Sequence, residues 1–153
     1  MKEKALKFRN LLSQKRNIVI TTHRGPDGDA MGSSLALYNL LTNLGNDVSV
    51  ITPNDYASFL HWMSGNEKVI EYDGNETLAD RITNSAELII MLDFNSKNRL
   101  DKYSDTVFST DAYKVLIDHH QDPDMKIADL IFSDPNSCST AQLIYEVLDL
   151  MNL

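Results

Sequence analysis

Hydrophobic positions in this chain alternate between short runs of β-branched residues and longer stretches in which apolar residues recur every three or four positions. The short apolar runs predict buried strands at residues 17–22, 47–51, 68–72, 88–92, 114–117 and 127–132. The helical spacing predicts helices over residues 1–14, 35–44, 56–63, 76–85 and 139–150. Strands that alternate with helices in this way predict an α/β fold with a mainly parallel sheet flanked by helices.

The chain is predicted to form one domain with a helix at its start. Its 153 residues are enough for an independent core, because a chain of this length removes roughly two-thirds of its unfolded surface from water. We assign residues 1–16 to the N-terminal helix and residues 17–153 to the α/β domain. No repeat, low-complexity tract or linker divides this region. The sequence stops directly after a helical pattern, so we expect a truncation at that point.

The chain is acidic, with 22 Asp and Glu against 14 Lys and Arg and a formal net charge of -8. This balance argues against a generic surface for polyanions, because phosphates meet a repulsive mean field. A single cysteine excludes an internal disulfide framework and a cysteine-rich zinc site. No apolar run approaches the roughly 20 residues of a membrane span, and the start MKEKALKFRN lacks the apolar core of a signal peptide. We therefore expect a cytoplasmic protein without a membrane partner.

Residues with metal-binding chemistry follow four of the predicted strands. The carboxyl ends of parallel strands meet at one edge of the sheet, where ligands bind in such folds, so these side chains are expected to lie together. Three of the four histidines lie in these clusters. The clusters are His23 with Asp27 and Asp29, then Asp93, then Asp118 with His119 and His120, and finally Asp134 ahead of Ser137-Cys138-Ser139-Thr140.

The first cluster lies in the stretch HRGPDGDAMGSS, which predicts a turn because of its glycines and proline. Gly28 between Asp27 and Asp29 lets the backbone fold sharply, so that both carboxylates can point inward with His23. One imidazole and two carboxylates suit Mn²⁺, Mg²⁺ or Co²⁺. An equally good interpretation is a helix N-cap, in which Asp27 or Asp29 accepts hydrogen bonds from free backbone amides.

The third cluster places a carboxylate and two imidazoles at the end of a strand. Adjacent residues on an extended segment point in opposite directions, so His119 and His120 are expected to have different roles. One can bind a metal while the other faces a substrate or donates a hydrogen bond. The alternative is a pair of loop histidines with ordinary hydrogen bonds, which we favour less because the first cluster matches this one.

The remaining candidates have weaker signals when each is taken alone. Asp93 is an ordinary residue for a strand end, but a pair of metal ions held by His and Asp usually needs a bridging carboxylate. Asp134 has the same status, with Pro135 as another reason for a turn. Ser139 and Thr140 begin a predicted helix, whose amides and hydroxyls can hold a phosphate or merely cap the helix.

The clusters together resemble the N-terminal motifs of the DHH phosphoesterases. The order of His23-x-x-x-Asp27-x-Asp29, the strand-end Asp93, the Asp118-His119-His120 tripeptide, and Asp134 followed by Ser139-Thr140-Ala141 agrees with that family. The pattern HRGPDGDAMGSSLAL is most similar to the nano-RNase/pAp phosphatase type, which combines oligoribonuclease and 3′-phosphoadenosine-5′-phosphate phosphatase activities. RecJ-type exonucleases, exopolyphosphatases and manganese-dependent pyrophosphatases are more distant relatives by this comparison.

The resemblance implies a site with two Mn²⁺ ions, for which Mg²⁺ or Co²⁺ are alternatives. It implies that Asp93 bridges the ions and that His120 is catalytic and faces the scissile phosphate, with Asp118 supporting it. Ser139, Thr140 and Arg99 are expected to bind phosphate. The implied ligands are His23, Asp27 and Asp93 for one ion, and Asp29, Asp93, His119 and Asp134 for the other.

The expected activity is hydrolysis of phosphodiester and phosphomonoester bonds in short oligoribonucleotides and pAp. The alternatives are a pyrophosphatase or exopolyphosphatase of the same superfamily, or a non-catalytic fragment that retains the metal site. The resemblance also implies a C-terminal substrate-binding domain of the DHHA1 type, and nothing in this chain matches it. We therefore expect weak activity from this chain alone, and a homodimer is compatible with the sequence.

Overall fold

The computed structural model describes residues 1–153. Six strands form one sheet: β1 (Asn17–Thr22), β2 (Asp47–Thr52), β3 (Ile70–Glu71), β4 (Leu88–Leu92), β5 (Tyr113–Asp118) and β6 (Leu130–Ser133). Neighbouring strands are all parallel, in the order β3-β2-β1-β4-β5-β6. Five α-helices accompany them: α1 (Lys2–Leu11), α2 (Gly28–Asn43), α3 (Glu76–Asn84), α4 (Tyr103–Ser109) and α5 (Thr140–Met151). The predicted α/β fold with a parallel sheet is confirmed.

The sheet lies between two layers of helices, and each layer closes one hydrophobic core. Side chains of α1, α2 and α5 form the larger core with one face of the sheet, and Phe8, Leu35 and Val147 are among them. The opposite face is covered by α3 and α4, which contribute Ala79 and Tyr103. All residues of β4 are buried, because a central strand is covered on both faces. None of the helices combines the length and apolar character that crossing a bilayer requires.

Phe8 connects α1 to the edge of the sheet. Its side chain is fully buried, and the centre of its ring lies 5.9 Å from that of Phe132 in β6. We expect Phe8→Ala to lower the free energy of unfolding by about 3–5 kcal/mol, because apolar burial is lost and a cavity remains. Urea unfolding measures this loss. The control Phe59→Ala removes a residue that is 74% exposed and should cost no more than about 0.5 kcal/mol. Equal losses in the two variants would contradict this packing.

The main difference from the predicted elements is the start of α2. The helix begins at Gly28, well before the apolar stripe that starts at Leu35, so the turn predicted for this stretch was wrong beyond Asp27. The first turns of the helix are polar and show no apolar stripe. The helix can begin there because the Asp27 carboxylate caps its N-terminus. Within the helix the Ser34 hydroxyl donates to the Ala30 carbonyl at 2.7 Å, so this serine is satisfied without breaking the helix.

Other elements also differ from the prediction: the strands predicted at 68–72 and 127–132 are β3 and β6, which begin at Ile70 and Leu130. The N-terminal helix assigned to residues 1–16 ends at Leu11, whose carbonyl oxygen accepts a hydrogen bond from Arg16 Nε at 2.6 Å. The helix predicted over residues 56–63 is only a short 3₁₀ turn at Ser58–Leu60. The short helix α4 was not predicted, because it is only seven residues long and its apolar stripe is too brief to give a clear periodic signal.

Candidate metal centre

The candidate residues of the first three clusters lie at the carboxyl edge of three adjacent strands. His23 follows β1, Asp93 follows β4, and Asp118 ends β5 ahead of His119 and His120. Because β1, β4 and β5 are neighbours in the sheet, the chain brings these segments side by side. Two groups of metal-ligating atoms result, each with its atoms within 4.8 Å of one another: His23, Asp27 and Asp93, and Asp93, His119 and His120.

Asp93 belongs to both groups and lies at the centre of the site. Its Oδ2 atom is 3.6 Å from His23 Nε2, and its Oδ1 atom is 3.6 Å from His119 Nε2. These separations are too long for hydrogen bonds. They match the spacing of about 3–3.6 Å between two ligand atoms that bind one ion through bonds of about 2.1 Å. The two oxygens of one carboxylate therefore face two different imidazoles.

The backbone of Asp93 is in the left-handed region, with a φ of 67°. Asp and Asn adopt this region more readily than other non-glycine residues, although it is uncommon for them as well. The residue is also 1% exposed. A buried carboxylate on an uncommon backbone conformation is typical of a position held for function.

Backbone carbonyls orient the two metal-facing histidines. The Nδ1 atom of His23 lies 2.9 Å from the Arg24 carbonyl oxygen, and Nδ1 of His119 lies 3.2 Å from the Ser137 carbonyl oxygen. A carbonyl oxygen only accepts, so each Nδ1 donates its proton. In the neutral form that binds a metal, each ring then presents an unprotonated Nε2 toward Asp93.

Asp27 combines a capping role with a position in the first group. Its Oδ1 atom accepts hydrogen bonds from the backbone amides of Asp29 and Ala30, both at 3.0 Å, and thereby caps α2. No protein hydrogen bond engages its Oδ2 atom, and the residue is exposed. The cap and the metal ligand were alternatives in the sequence, but a carboxylate with one oxygen for each role accommodates both.

Asp29 caps a different helix, α5, across the site. Its Oδ2 atom accepts from the Thr140 amide at 2.7 Å, and its Oδ1 atom accepts from the Ala141 amide at 2.9 Å. The Oδ2 atom also lies 3.6 Å from His119 Nε2. The start of α5 thus orients Asp29 toward His119, and the partial positive charge of a helix N-terminus stabilises its negative charge.

His120 is held by Asp118 rather than by a metal-facing carboxylate. The Asp118 carboxylate is 0% exposed, and its Oδ1 atom accepts from His120 Nδ1 at 2.7 Å. The distance from His120 Nδ1 to Asp93 Oδ1 is longer, at 3.8 Å. The predicted difference between His119 and His120 is therefore seen in their partners: His119 donates to a carbonyl, and His120 to a buried carboxylate.

Asp134 lies in neither group of metal-ligating atoms. Its Oδ1 atom accepts from the backbone amide and the side-chain amide of Asn136, at 2.9 and 3.1 Å. Its backbone amide donates to the Asp118 carbonyl at 3.2 Å, so the residue does follow β6 beside the end of β5. The turn that Pro135 suggested is thus present, and the position of Asp134 as a metal ligand rests on the family resemblance alone.

The two hydroxyls expected to bind phosphate have partners within the protein. The Ser139 hydroxyl accepts from the Gln142 amide at 3.0 Å and caps α5. The Thr140 hydroxyl donates to Asp93 Oδ1 at 2.8 Å, and Thr140 is 0% exposed. The capping interpretation of Ser139 therefore holds, and Thr140 contacts the central carboxylate of the site.

Arg99 lies beside the first histidine. Its backbone carbonyl accepts from the Arg24 amide at 2.8 Å, and its side chain is exposed. Its guanidinium is close enough to lower the pKa of His23. Sequence reasoning missed the Arg24 and Ser137 carbonyls that orient the histidines, because main-chain acceptors leave no signal in side-chain chemistry.

The pair of His23 and Asp93 favours the charged form of each partner. Burial lowers the pKa of His23, but the Asp93 carboxylate and the Arg24 carbonyl outweigh burial and raise it above the ordinary 6.5. Burial raises the pKa of Asp93, but the interactions with His23 and Thr140 outweigh burial and lower it below the ordinary 3.8. Without metal, the two side chains therefore stabilise each other as an ion pair.

This pair predicts a pH dependence of stability for the metal-free protein. The raised pKa of His23 adds stability that is complete below pH 6.5 and is lost as the pH rises through its folded pKa. The lowered pKa of Asp93 adds stability that is complete above pH 3.8 and is lost as the pH falls through its folded pKa. The pair's contribution is therefore largest between these values. In urea unfolding with a chelator, the free-energy difference between wild type and Asp93→Asn should decline above pH 6.5, and a rise there would contradict the pairing.

The parallel α/β fold and the cluster of His and Asp at its carboxyl edge fit the family that the motifs suggest. Residues 17–152 match the DHH family, N-terminal domain. The chain belongs to this family, and the resemblance drawn from its motifs is confirmed.

The chain is similar to the bifunctional oligoribonuclease and PAP phosphatase NrnA of Thermus thermophilus. The two are 31% identical over 137 residues, which cover 89% of this chain and 37% of NrnA. Among solved structures, an exopolyphosphatase-related protein from Bacteroides fragilis has a TM-score of 0.96 and 36% identity, over 99% of this chain and 44% of that one. The chain thus spans less than half the length of each relative.

A further solved structure shares the fold at lower identity. The crystal structure of RecJ from Thermus thermophilus, in complex with Mn²⁺, has a TM-score of 0.59 and 15% identity. The match covers 99% of this chain and 20% of RecJ. At this identity the likeness shows a common fold, and the Mn²⁺ belongs to the RecJ structure.

Proposed function

We propose that the chain is a metal-dependent phosphoesterase domain that hydrolyses short oligoribonucleotides and pAp. Membership of the DHH family and the similarity to NrnA support this substrate class. We assign the domain two divalent ions, with Mn²⁺ preferred and Mg²⁺ or Co²⁺ as alternatives. Imidazole nitrogens mixed with carboxylate oxygens are the ligands that such ions take in proteins. We also propose a cytoplasmic location, as expected from the sequence.

The arrangement of Asp93 carries the proposal. Each of its oxygens faces the Nε2 atom of a different histidine at 3.6 Å, which is the arrangement expected of a carboxylate shared by two ions. The proposed ligands are His23, Asp27 and Asp93 for one ion, and Asp29, Asp93, His119 and Asp134 for the other, the last by resemblance only.

Two divalent ions held by this cluster would lower the pKa of a bound water and neutralise charge on the phosphoryl oxygens. The protein's own contribution starts with the orientation of the ligands by α2, α5 and two backbone carbonyls. In its protonated form His120 adds a proton donor: Asp118 accepts from Nδ1 and stabilises the imidazolium, whose Nε2–H is left for the leaving oxygen. The Asp118 carboxylate has His120 as its only hydrogen-bond partner, so it acts by fixing the orientation of that ring and stabilising its protonated form.

In this proposal, Arg99 and a further domain bind the parts of the substrate that lie outside the metal cluster. Arg99 has an exposed charged group beside His23, whereas the hydroxyls of Ser139 and Thr140 are engaged within the protein. Arginine binds phosphate through paired hydrogen bonds. The chain spans 37% of NrnA, and we propose that the remainder of such a protein supplies a substrate-binding domain of the DHHA1 type.

A side-by-side assay tests the proposed function. The chain with Mn²⁺ is given pAp, a diribonucleotide, pyrophosphate and polyphosphate. We expect slow release of phosphate from pAp and of mononucleotides from the diribonucleotide, and we expect a chelator to abolish both. Mn²⁺ binding without turnover of any substrate would instead indicate a non-catalytic fragment.

Arg99→Ala should raise KM more than it lowers kcat, because the lost contact binds the ground state and the transition state equally.

A second candidate function is favoured by the structural comparison. The Bacteroides fragilis relative, 36% identical, is described as exopolyphosphatase-related. If the chain turned over polyphosphate or pyrophosphate faster than pAp and the diribonucleotide in the same assay, these anhydrides would be its substrates. The metal cluster would then keep its role, because in every case water attacks a phosphorus atom.

A further inference from the structure

Thr140 contacts two carboxylates of the metal centre at once. Its hydroxyl donates to Asp93 Oδ1 at 2.8 Å, and its backbone amide donates to Asp29 Oδ2 at 2.7 Å. Those two oxygens are the ones that lie 3.6 Å from His119 Nε2. Thr140 is 0% exposed and begins α5, so its position is fixed by the packing of that helix.

The hydroxyl contact bears most directly on Asp93. The strand that leads to Asp93 ends there, and its backbone is in the left-handed region, with a φ of 67°. Its carboxylate can serve two ions only if rotation about the side-chain bonds leaves one oxygen toward His23 and the other toward His119. The Thr140 hydroxyl is the uncharged side-chain donor that fixes Oδ1 in that orientation. Donors of this kind outside the ligand set typically change metal affinity by about 10–100-fold.

We propose that Thr140 is a positioning residue that holds Asp93 in the bridging orientation through its hydroxyl, and Asp29 toward His119 through its amide. It therefore sets the affinity for the second divalent ion, by which we mean the ion assigned to Asp29, Asp93 and His119. Thr140 itself contacts neither an ion nor the substrate in this proposal. This inference rests on the proposed function and assigns Thr140 a role other than the phosphate contact expected from the sequence.

The test separates the hydroxyl from the amide and from the packing of α5. Thr140→Val keeps the shape and the amide but removes the hydroxyl, and Thr140→Ser restores the hydroxyl. The control Thr83→Val removes another hydroxyl from a residue that is 0% exposed, one that bonds the Ala79 carbonyl at 2.8 Å and Tyr103 Oη at 2.6 Å in the opposite core. Calorimetry with Mn²⁺ gives affinity and stoichiometry, and the rise in Tm on adding Mn²⁺ gives an independent measure.

We expect Thr140→Val to bind the second Mn²⁺ about 10–100-fold more weakly and to show a smaller Mn²⁺-dependent rise in Tm. Thr140→Ser should recover wild-type binding, and Thr83→Val should lower the Tm but leave Mn²⁺ affinity unchanged. Unchanged affinity in Thr140→Val, or no recovery in Thr140→Ser, would overturn the inference while leaving the proposed function in place. A wild-type chain that binds no Mn²⁺ would overturn both.

Discussion

Asp93→Asn is expected to weaken Mn²⁺ binding more than any other single substitution in this chain. Asparagine keeps the size of the side chain and tolerates the left-handed backbone, so the change removes the charge and one ligand oxygen with little steric effect. Because the two oxygens of Asp93 face two imidazoles, one ion loses its oxygen ligand and the other keeps only an uncharged amide oxygen. The loss should exceed the upper value of about 100-fold seen when a residue outside the ligand set is removed. Calorimetric titration with Mn²⁺ measures it.

Asp101→Asn is the matched control for this substitution. Asp101 also has a positive φ, of 51°, but its carboxylate is exposed and pairs with Arg24 at 2.7 Å instead of facing a histidine. We expect it to bind Mn²⁺ as the wild type does. Similar losses in the two variants would show that backbone strain, rather than the bridging carboxylate, decides metal affinity.

His120→Ala is expected to lower kcat by about 10²–10⁴-fold while both ions still bind. The ring is held by Asp118 at 2.7 Å and lies farther from Asp93, so its removal deletes a proton donor and leaves the proposed ligands in place. Steady-state rates with pAp measure kcat, and calorimetry with Mn²⁺ measures binding. Asp118→Asn should also lower kcat, because an uncharged amide does not stabilise the protonated ring of His120.

His61→Ala is the control for the histidine prediction. His61 is the fourth histidine, lies on an exposed turn and packs edge-on against Tyr56, with ring centres 5.1 Å apart. Its removal should leave kcat unchanged. If His120→Ala instead lost Mn²⁺ in proportion to activity, His120 would be a metal ligand in the second group and not a proton donor.

The strand ends of the site were predictable from the sequence because strand periodicity and side-chain chemistry agree there. Apolar runs of five residues before Asp93 and three residues before Asp118 predicted buried parallel strands, and parallel strands share one functional edge. The structure accordingly brings together His23, Asp93 and His119, which are far apart in the chain. The pattern of apolar and polar residues, together with the parallel arrangement of the strands, is enough to predict that these three side chains lie close together.

The supporting contacts were not predictable, because they depend on how helices pack across the edge. The sequence contains Asp29 and Thr140 as candidates, but nothing in it indicates that α5 packs where its first amides meet Asp29. The start of α2 was missed for a related reason: the cap at Asp27 overrides a polar, glycine-containing first turn. The local sequence pattern thus predicted the sheet and its helices. The orientation of the proposed metal ligands depends on hydrogen bonds between elements that are distant in the chain.

The proposed pair of ions is tested most directly by anomalous diffraction at the manganese edge from crystals of the chain soaked in Mn²⁺. We expect two peaks about 3.5–4 Å apart on either side of the Asp93 carboxylate. One peak should lie between His23 and Asp27, and the other between Asp29 and His119. A single peak, or a pair that Asp93 does not bridge, would contradict it.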